Sequence, residues 1–144
     1  MIGAPSDTQR TVRTVTVLVS DPRPAVRAAL TAALEAHAGI TAVGSANQLQ
    51  DVVAAIRRHR PDVVLIDLAV LAERGVAGLG DLAAVRRATA VLVMGVVEHS
   101  ARTRQVMRAG AAGHVMKDAP AAELAAAVRS AADRSRRLRA VPPG

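Results

Sequence analysis

Three ionisable residues, Asp21, Asp67 and Lys117, each stand at the end of a short apolar run of this chain. Lys117 is the only lysine, because 18 of the 19 basic residues are arginine. Two carboxylates and an ammonium group are typical of a phosphoryl-accepting pocket, in which a carboxylate can act as nucleophile and a cation offsets charge on phosphoryl oxygens. If the three runs are strands whose ends meet, the sequence predicts such a pocket. Otherwise each residue is an ordinary polar residue at a strand end.

Five apolar runs have the length and composition of buried strands. They are Val15–Ser20, Ile40–Val43, Val63–Ile66, Ala90–Val97 and His114–Met116. Apolar residues at helical spacing follow each run, in segments that begin near Pro24, Asn47, Leu82, Ser100 and Pro120. Such alternation predicts a parallel sheet covered by helices on both faces.

We therefore predict one α/β domain, a doubly wound (βα)5 fold of flavodoxin-like type, with a parallel five-stranded sheet in the order 2-1-3-4-5. Ligands of such folds bind beyond the carboxyl ends of the strands, near the point where the strand order reverses. Asp21, Asp67 and Lys117 follow or end strands one, three and five, so this topology brings them to one edge of the sheet.

Composition argues against several classes of function. The chain of 144 residues has no Phe, Trp, Tyr or Cys, which disfavours base stacking, flavin binding and thiolate chemistry. Its net charge of +7 suggests nucleic acid, but the arginines are scattered, with a dense cluster only at residues 134–139. We interpret that cluster as a solvated linker. With no apolar run near membrane-spanning length, we expect a cytoplasmic protein without membrane contact.

Three motifs resemble those of response-regulator receiver domains, specifically the CheY-like receivers of NarL/LuxR-type transcription factors. The motifs are Val19-Ser-Asp-Pro-Arg-Pro-Ala-Val-Arg27, Arg60-Pro-Asp-Val-Val-Leu-Ile-Asp-Leu68 and Arg108-Ala-Gly-Ala-Ala-Gly-His-Val-Met-Lys-Asp-Ala119. The resemblance runs from about residue 15 to 132, and the intervals between the motifs match the family. It implies a regulatory domain of two-component signalling rather than an enzyme.

The resemblance also implies roles for individual residues. Asp67 is the expected phosphoacceptor, and Lys117 is the expected cation that contacts the phosphoryl group. Asp21, Asp67 and the backbone carbonyl of Ala69 occupy the positions of the family's metal ligands. Carboxylates, a carbonyl and waters are the ligands that magnesium prefers.

Four features depart from the family's pattern. Pro22 stands where receivers carry a second acid, so we expect magnesium to bind weakly or not at all. Gly95 stands where strand four usually ends in Thr or Ser, whose hydroxyl follows the phosphoryl group. His114 replaces the Tyr or Phe of the switch. Residues 70–72 replace the family's Met-Pro-Gly segment. We therefore expect phosphorylation-driven switching to be impaired or absent.

The alternatives that remain open differ in what acts on the pocket. The chain is a conventional phospho-accepting receiver with a weakened magnesium site, or a pseudo-receiver gated by a small-molecule ligand or a partner protein. Asp67 and Lys117 can also remain as a structural ion pair without chemistry.

We divide the chain into a mobile arm (1–13), a receiver domain (14–132) and a basic linker (133–144) toward a missing C-terminal DNA-binding domain. The chain is then either a fragment cut at the linker, which the final Val-Pro-Pro-Gly favours, or a stand-alone receiver. Expected partners are a second copy, through the last helix, and a sensor histidine kinase. DNA is expected to be contacted only through the missing domain.

Overall fold

The computed structural model describes residues 14–72, 89–95 and 101–140, and those segments contain five strands and five helices. The strands are β1 (Val15–Ser20), β2 (Ile40–Ala46), β3 (Val63–Asp67), β4 (Ala90–Gly95) and β5 (Gly113–Met116). The helices are α1 (Pro24–Glu35), α2 (Leu49–His59), α3 (Leu68–Leu71), α4 (Ala101–Arg108) and α5 (Ala121–Ala140). The helix predicted near Leu82, the end of strand four beyond Gly95 and the N-terminal arm lie outside the described residues.

The five strands form one parallel sheet in the order β2-β1-β3-β4-β5, which confirms the predicted topology. β3 lies at its centre, with Val17 of β1 opposite Val63 and Asp67 opposite Met94 of β4. Because all strands run in the same direction, the carboxyl ends of β1, β3 and β5 share one edge of the sheet. The predicted pocket residues therefore lie at that edge.

Helices cover both faces of the sheet, as a doubly wound fold requires. Alternate residues of each strand point to opposite faces, so Val17 and Val19 pack on one side and Leu18 on the other. The first side holds α1 and α5, and the second holds α2, α3 and α4. Among the described residues, aliphatic side chains and Met94 fill both layers, since the chain has no aromatic residue.

The last helix differs from the sequence prediction in two respects. It continues to Ala140, through most of the segment that composition assigns to a linker. Contacts with the sheet explain why: Ser135 is buried, and Arg136 donates to the backbone oxygen of Thr14 at 2.7 Å. Helical spacing predicts that Leu124 and Val128 face the sheet and that Ala125 lies partly on the flank. Leu124 and Val128 are buried accordingly, but Ala125 is buried as well. No helix in the described segments is both long enough and apolar enough to span a membrane.

Candidate functional site

The Asp21 carboxylate is held by the loop between β1 and α1. Its side chain is fully buried, and its Oδ1 atom accepts a hydrogen bond from the Arg23 backbone N–H at 2.9 Å. The Arg23 guanidinium also contacts this carboxylate, with Nε 3.2 Å from Oδ1 and Nη2 3.4 Å from Oδ2. Arg27 Nη1 donates to the Asp21 backbone oxygen at 2.7 Å. Two arginines from the start of α1 thus fix Asp21 at this edge.

Asp67 ends β3 and begins α3. Its Oδ1 atom accepts a hydrogen bond from the Ala69 backbone N–H at 2.6 Å, which caps the four-residue helix Leu68–Leu71. Its side chain is only 4% exposed. A carboxylate buried to this extent requires a charged or hydrogen-bonding partner, and its other oxygen has one in Lys117.

Lys117 lies between the two carboxylates. Its Nζ atom pairs with Asp67 Oδ2 and lies 3.4 Å from Asp21 Oδ2. The Lys117 backbone N–H donates to the Gly95 oxygen at 2.9 Å, which continues the pairing of β5 with β4 and places the side chain at the sheet edge. The structure therefore brings together the three residues that the sequence singles out, which come from three different parts of the chain.

The charges of the loop set the ionisation of Asp21. Burial alone would raise the pKa of Asp21, but the hydrogen bonds from Arg23 and the charges of Lys117 and Arg23 outweigh it and lower the pKa below its ordinary value. The hydrogen bond to Asp21 also raises the pKa of Arg23, with a further contribution from the charge of Asp67. Asp21 is therefore a carboxylate and Arg23 a cation at neutral pH.

Gly95 and His114, the two predicted switch positions, are neighbours at the end of the sheet. A Cβ atom placed on Gly95 would lie 3.0 Å from His114 Nε2, which is closer than nine in ten real Cβ contacts. The His114 imidazole is partly buried. The two departures are thus coupled, because the absence of a side chain at position 95 leaves room for the ring at position 114.

Restoring a hydroxyl at the end of β4 should reveal that coupling. We expect Gly95→Ser to destabilise the fold by about 1 kcal/mol, because the new side chain overlaps the His114 ring. In the His114→Ala background the same substitution should cost less. Urea unfolding followed by circular dichroism checks both, and equal costs in the two backgrounds would contradict the coupling.

Sequence reasoning missed the role of Arg23, although the residue lies within the first family motif. A signal was present in the sequence, since an arginine two residues after a buried carboxylate can reach back to it when a proline on each side limits the backbone. Pro22 is exposed and offers no side-chain oxygen to a metal ion. The metal-ligand role of the Ala69 carbonyl stays a prediction.

A family model and several known proteins are similar to this chain. Residues 17–129 match the family model of the response regulator receiver domain. The response regulator UvrY of Escherichia coli strain K12 is 34% identical over 119 residues, which are 81% of this chain and 53% of that protein. The response regulator GacA of Pseudomonas aeruginosa is 33% identical over 121 residues, which are 80% of this chain and 54% of that protein. The chain spans about half the length of these relatives.

Solved structures show the same architecture. The signal receiver domain of the putative response regulator NarL from Mycobacterium tuberculosis superposes with a TM-score of 0.76 at 28% identity, covering 84% of this chain and 98% of that chain. A LuxR-family two-component response regulator from Aurantimonas superposes with a TM-score of 0.75 at 25% identity, covering 84% of this chain and 86% of that chain. The resemblance drawn from the three motifs is confirmed.

Proposed function

The chain belongs to the response regulator receiver domain family, in its LuxR/NarL-type branch, and we propose that it is an atypical member with impaired switching by phosphorylation. The observation that carries this proposal is the close approach of His114 to Gly95. A receiver needs a hydroxyl at the end of β4 to follow the phosphoryl group and move the adjoining loop. Gly95 has none, so a phosphoryl group on Asp67 would lack the contact that biases two conformations.

Receiver domains are generally regulatory, and response regulators of this family typically work with sensor kinases and dimerise. We propose the same for this chain, as the regulatory and dimerising domain that controls a DNA-binding domain. Support comes from relatives that are about twice as long, one of which is described as a transcriptional regulatory protein of Bacillus subtilis. The arginines of the chain are dispersed, so contact with DNA is assigned to the further domain.

Self-association through α5 has a specific surface available. Ala121, Ala122 and Ala126 are exposed on α5, whereas Ala125 faces the core. Small side chains allow a second helix to approach closely, and two-fold pairing of like surfaces is the commonest closed assembly. A substitution that tests this dimer therefore belongs at Ala126 rather than at Ala125.

We infer that the pocket binds magnesium weakly. A magnesium ion takes about six oxygen ligands, and in proteins it is usually held by one or two carboxylates together with waters and phosphate oxygens. Among the described residues, the pocket offers Asp21 and Asp67 as carboxylates, and both are already engaged by cations of the chain. The position of a further acid holds Pro22. The donors therefore do not fit a divalent ion well, and no step of the proposed function depends on one.

One observation favours the conventional alternative, a receiver that still accepts phosphate. Lys117 contacts Asp67 directly, and a lysine beside the nucleophilic carboxylate is the cation that a phosphoryl group needs. In this alternative Asp67 accepts the phosphoryl group although the magnesium site is weakened. The alternatives differ in a measurable quantity, the yield of phosphorylated protein.

Exposure to acetyl phosphate and magnesium is expected to leave most of the protein unmodified. Intact-mass spectrometry should show a phosphoryl adduct, an increase of about 80 Da, on only a minor fraction, because the pocket lacks one metal-binding acid. Asp67→Asn is the matched control and should abolish whatever adduct is seen. A stoichiometric adduct on Asp67 would contradict impaired phosphorylation and favour the conventional receiver.

A further inference from the structure

The backbone around Arg23 directs its side chain toward the pocket. Pro22 and Pro24 flank it, and Arg23 adopts an extended conformation with φ −100° and ψ 120°. Extended backbone is what a following proline imposes, because its ring disfavours the helical region for the residue before it. Pro24 also starts α1, so the turn from strand to helix is complete within three residues. Arg23 is thus fixed at the mouth of the pocket by its neighbours in sequence.

Arg23 covers a carboxylate that has no solvent exposure of its own. Asp21 is fully buried, whereas the Arg23 side chain is 57% exposed and contacts both carboxylate oxygens. Lys117 approaches the same Oδ2 atom from the side of Asp67. The guanidinium therefore stands between the buried carboxylate and solvent.

The charges of the pocket balance without any added ion. Asp21 and Asp67 carry two negative charges, Arg23 and Lys117 bring two positive charges to their carboxylate groups, and Arg27 adds a further positive charge at the Asp21 backbone oxygen. A pocket with a second acid and no arginine would carry net negative charge, which attracts a divalent cation. With Arg23 in place, a divalent ion would have to displace the guanidinium or share Asp21 with it, at the cost of like-charge repulsion.

We propose that the Arg23 guanidinium neutralises the charge of Asp21 in place of a divalent ion. Its presence thereby weakens the binding of magnesium in the pocket. This proposal rests on the proposed function, and it identifies Arg23 as the residue that sets the cation preference of the pocket. Pro22 removes a ligand, and Arg23 in addition supplies a competing charge. The two effects are separable, because Arg23 can be changed while Pro22 is kept.

Magnesium titration of the wild type, Arg23→Ala and Arg23→Gln tests this assignment, with amide chemical shifts around Asp21 and Asp67 as the readout. Removing the guanidinium that contacts both Asp21 carboxylate oxygens should tighten magnesium binding by about tenfold, because it removes like-charge repulsion at the same carboxylate. Arg23→Gln keeps the length of the side chain and serves as the second variant if Arg23→Ala unfolds. Arg58→Ala removes an equal charge at the C-terminal end of α2, the opposite edge of the sheet, and should leave the affinity within about twofold.

Equal affinities for the wild type and both Arg23 variants, or undetectable binding by those variants, would overturn the assignment. The assignment and the proposed function can fail independently. Stoichiometric phosphorylation of the wild type would overturn impaired phosphorylation without changing the ratio of magnesium affinities. Equal magnesium affinities of the wild type and the Arg23 variants would overturn the role of Arg23, and Gly95 and His114 would remain as evidence for impaired switching.

Discussion

Lys117→Ala is expected to lower the free energy of unfolding by about 3 kcal/mol, since removing one member of a buried ion pair leaves an uncompensated charge. Asp67 and Asp21 are both buried, and the ammonium group of Lys117 contacts both. Without it, the two carboxylates share one pocket, and the remaining cation that contacts a carboxylate group there, among the described residues, is Arg23 at Asp21. An exposed ion pair would contribute at most about 1 kcal/mol. A loss of about 3 kcal/mol in Lys117→Ala would therefore show that the ion pair of Lys117 is buried.

A double-mutant cycle separates the ion pair from the loss of side-chain packing. Asp67→Asn should largely rescue Lys117→Ala, because it removes the charge that the lysine compensates. Unfolding in urea is best followed by circular dichroism, since the chain has no tryptophan or tyrosine to report by fluorescence. Arg58→Ala is the control for loss of a cation and should change stability by no more than about 0.5 kcal/mol. Additive effects of Lys117→Ala and Asp67→Asn would contradict the ion pair.

The fold was predictable because the strands are short, mainly apolar and regularly separated by helical segments. β3 is the clearest case: Val63–Asp67 is buried throughout, and only a central parallel strand is apolar on both faces. Boundaries were less accurate where apolar composition does not define them. β2 continues to Ala46 through Gly44 and Ser45 because it pairs with β1 there, after a shift of register.

The site was predictable to the extent that it depends on strand ends. Asp21, Asp67 and Lys117 meet because parallel strands present their carboxyl ends at one edge, which follows from topology alone. The contact of Arg23 with Asp21 depends on a side-chain direction set by two prolines, and no periodicity shows it. The approach of His114 to Gly95 lies across two strands and depends on their register.

The end of α5 could not be predicted for a different reason. Residues 133–137 are rich in charge, which in isolation favours a solvated linker. In the fold, Arg136 finds acceptors that lie more than 70 positions earlier in the chain, at Thr14 and Asp62. A charged segment was therefore assigned to solvent although tertiary contacts hold part of it against the sheet.

Those tertiary contacts lead to the second large effect, at Asp62. Asp62→Ala is expected to destabilise the fold by about 3 kcal/mol. The carboxylate Oδ2 atom accepts from the Thr16 backbone N–H at 3.0 Å and from the Thr16 hydroxyl at 3.3 Å, and it lies 3.4 Å from Arg136 Nη2. Removing it leaves a partly buried backbone donor without this acceptor and a guanidinium without this counter-charge, and each loss costs about 1–3 kcal/mol. Because β1, β3 and α5 meet at this carboxylate, the effect should include loosening of the end of α5.

Two further variants separate these contributions. Asp62→Asn keeps an oxygen that can accept from Thr16 and should recover part of the lost stability, while still weakening the hold on Arg136. Asp133→Ala is the matched control, because Asp133 is 62% exposed and lies 4.0 Å from the same guanidinium, so its loss should cost under about 1 kcal/mol. Amide hydrogen exchange in residues 133–137 should quicken in Asp62→Ala and stay unchanged in Asp133→Ala. Equal exchange in both variants would mean that α5 is held by Ser135 and its alanines rather than by the Asp62 carboxylate.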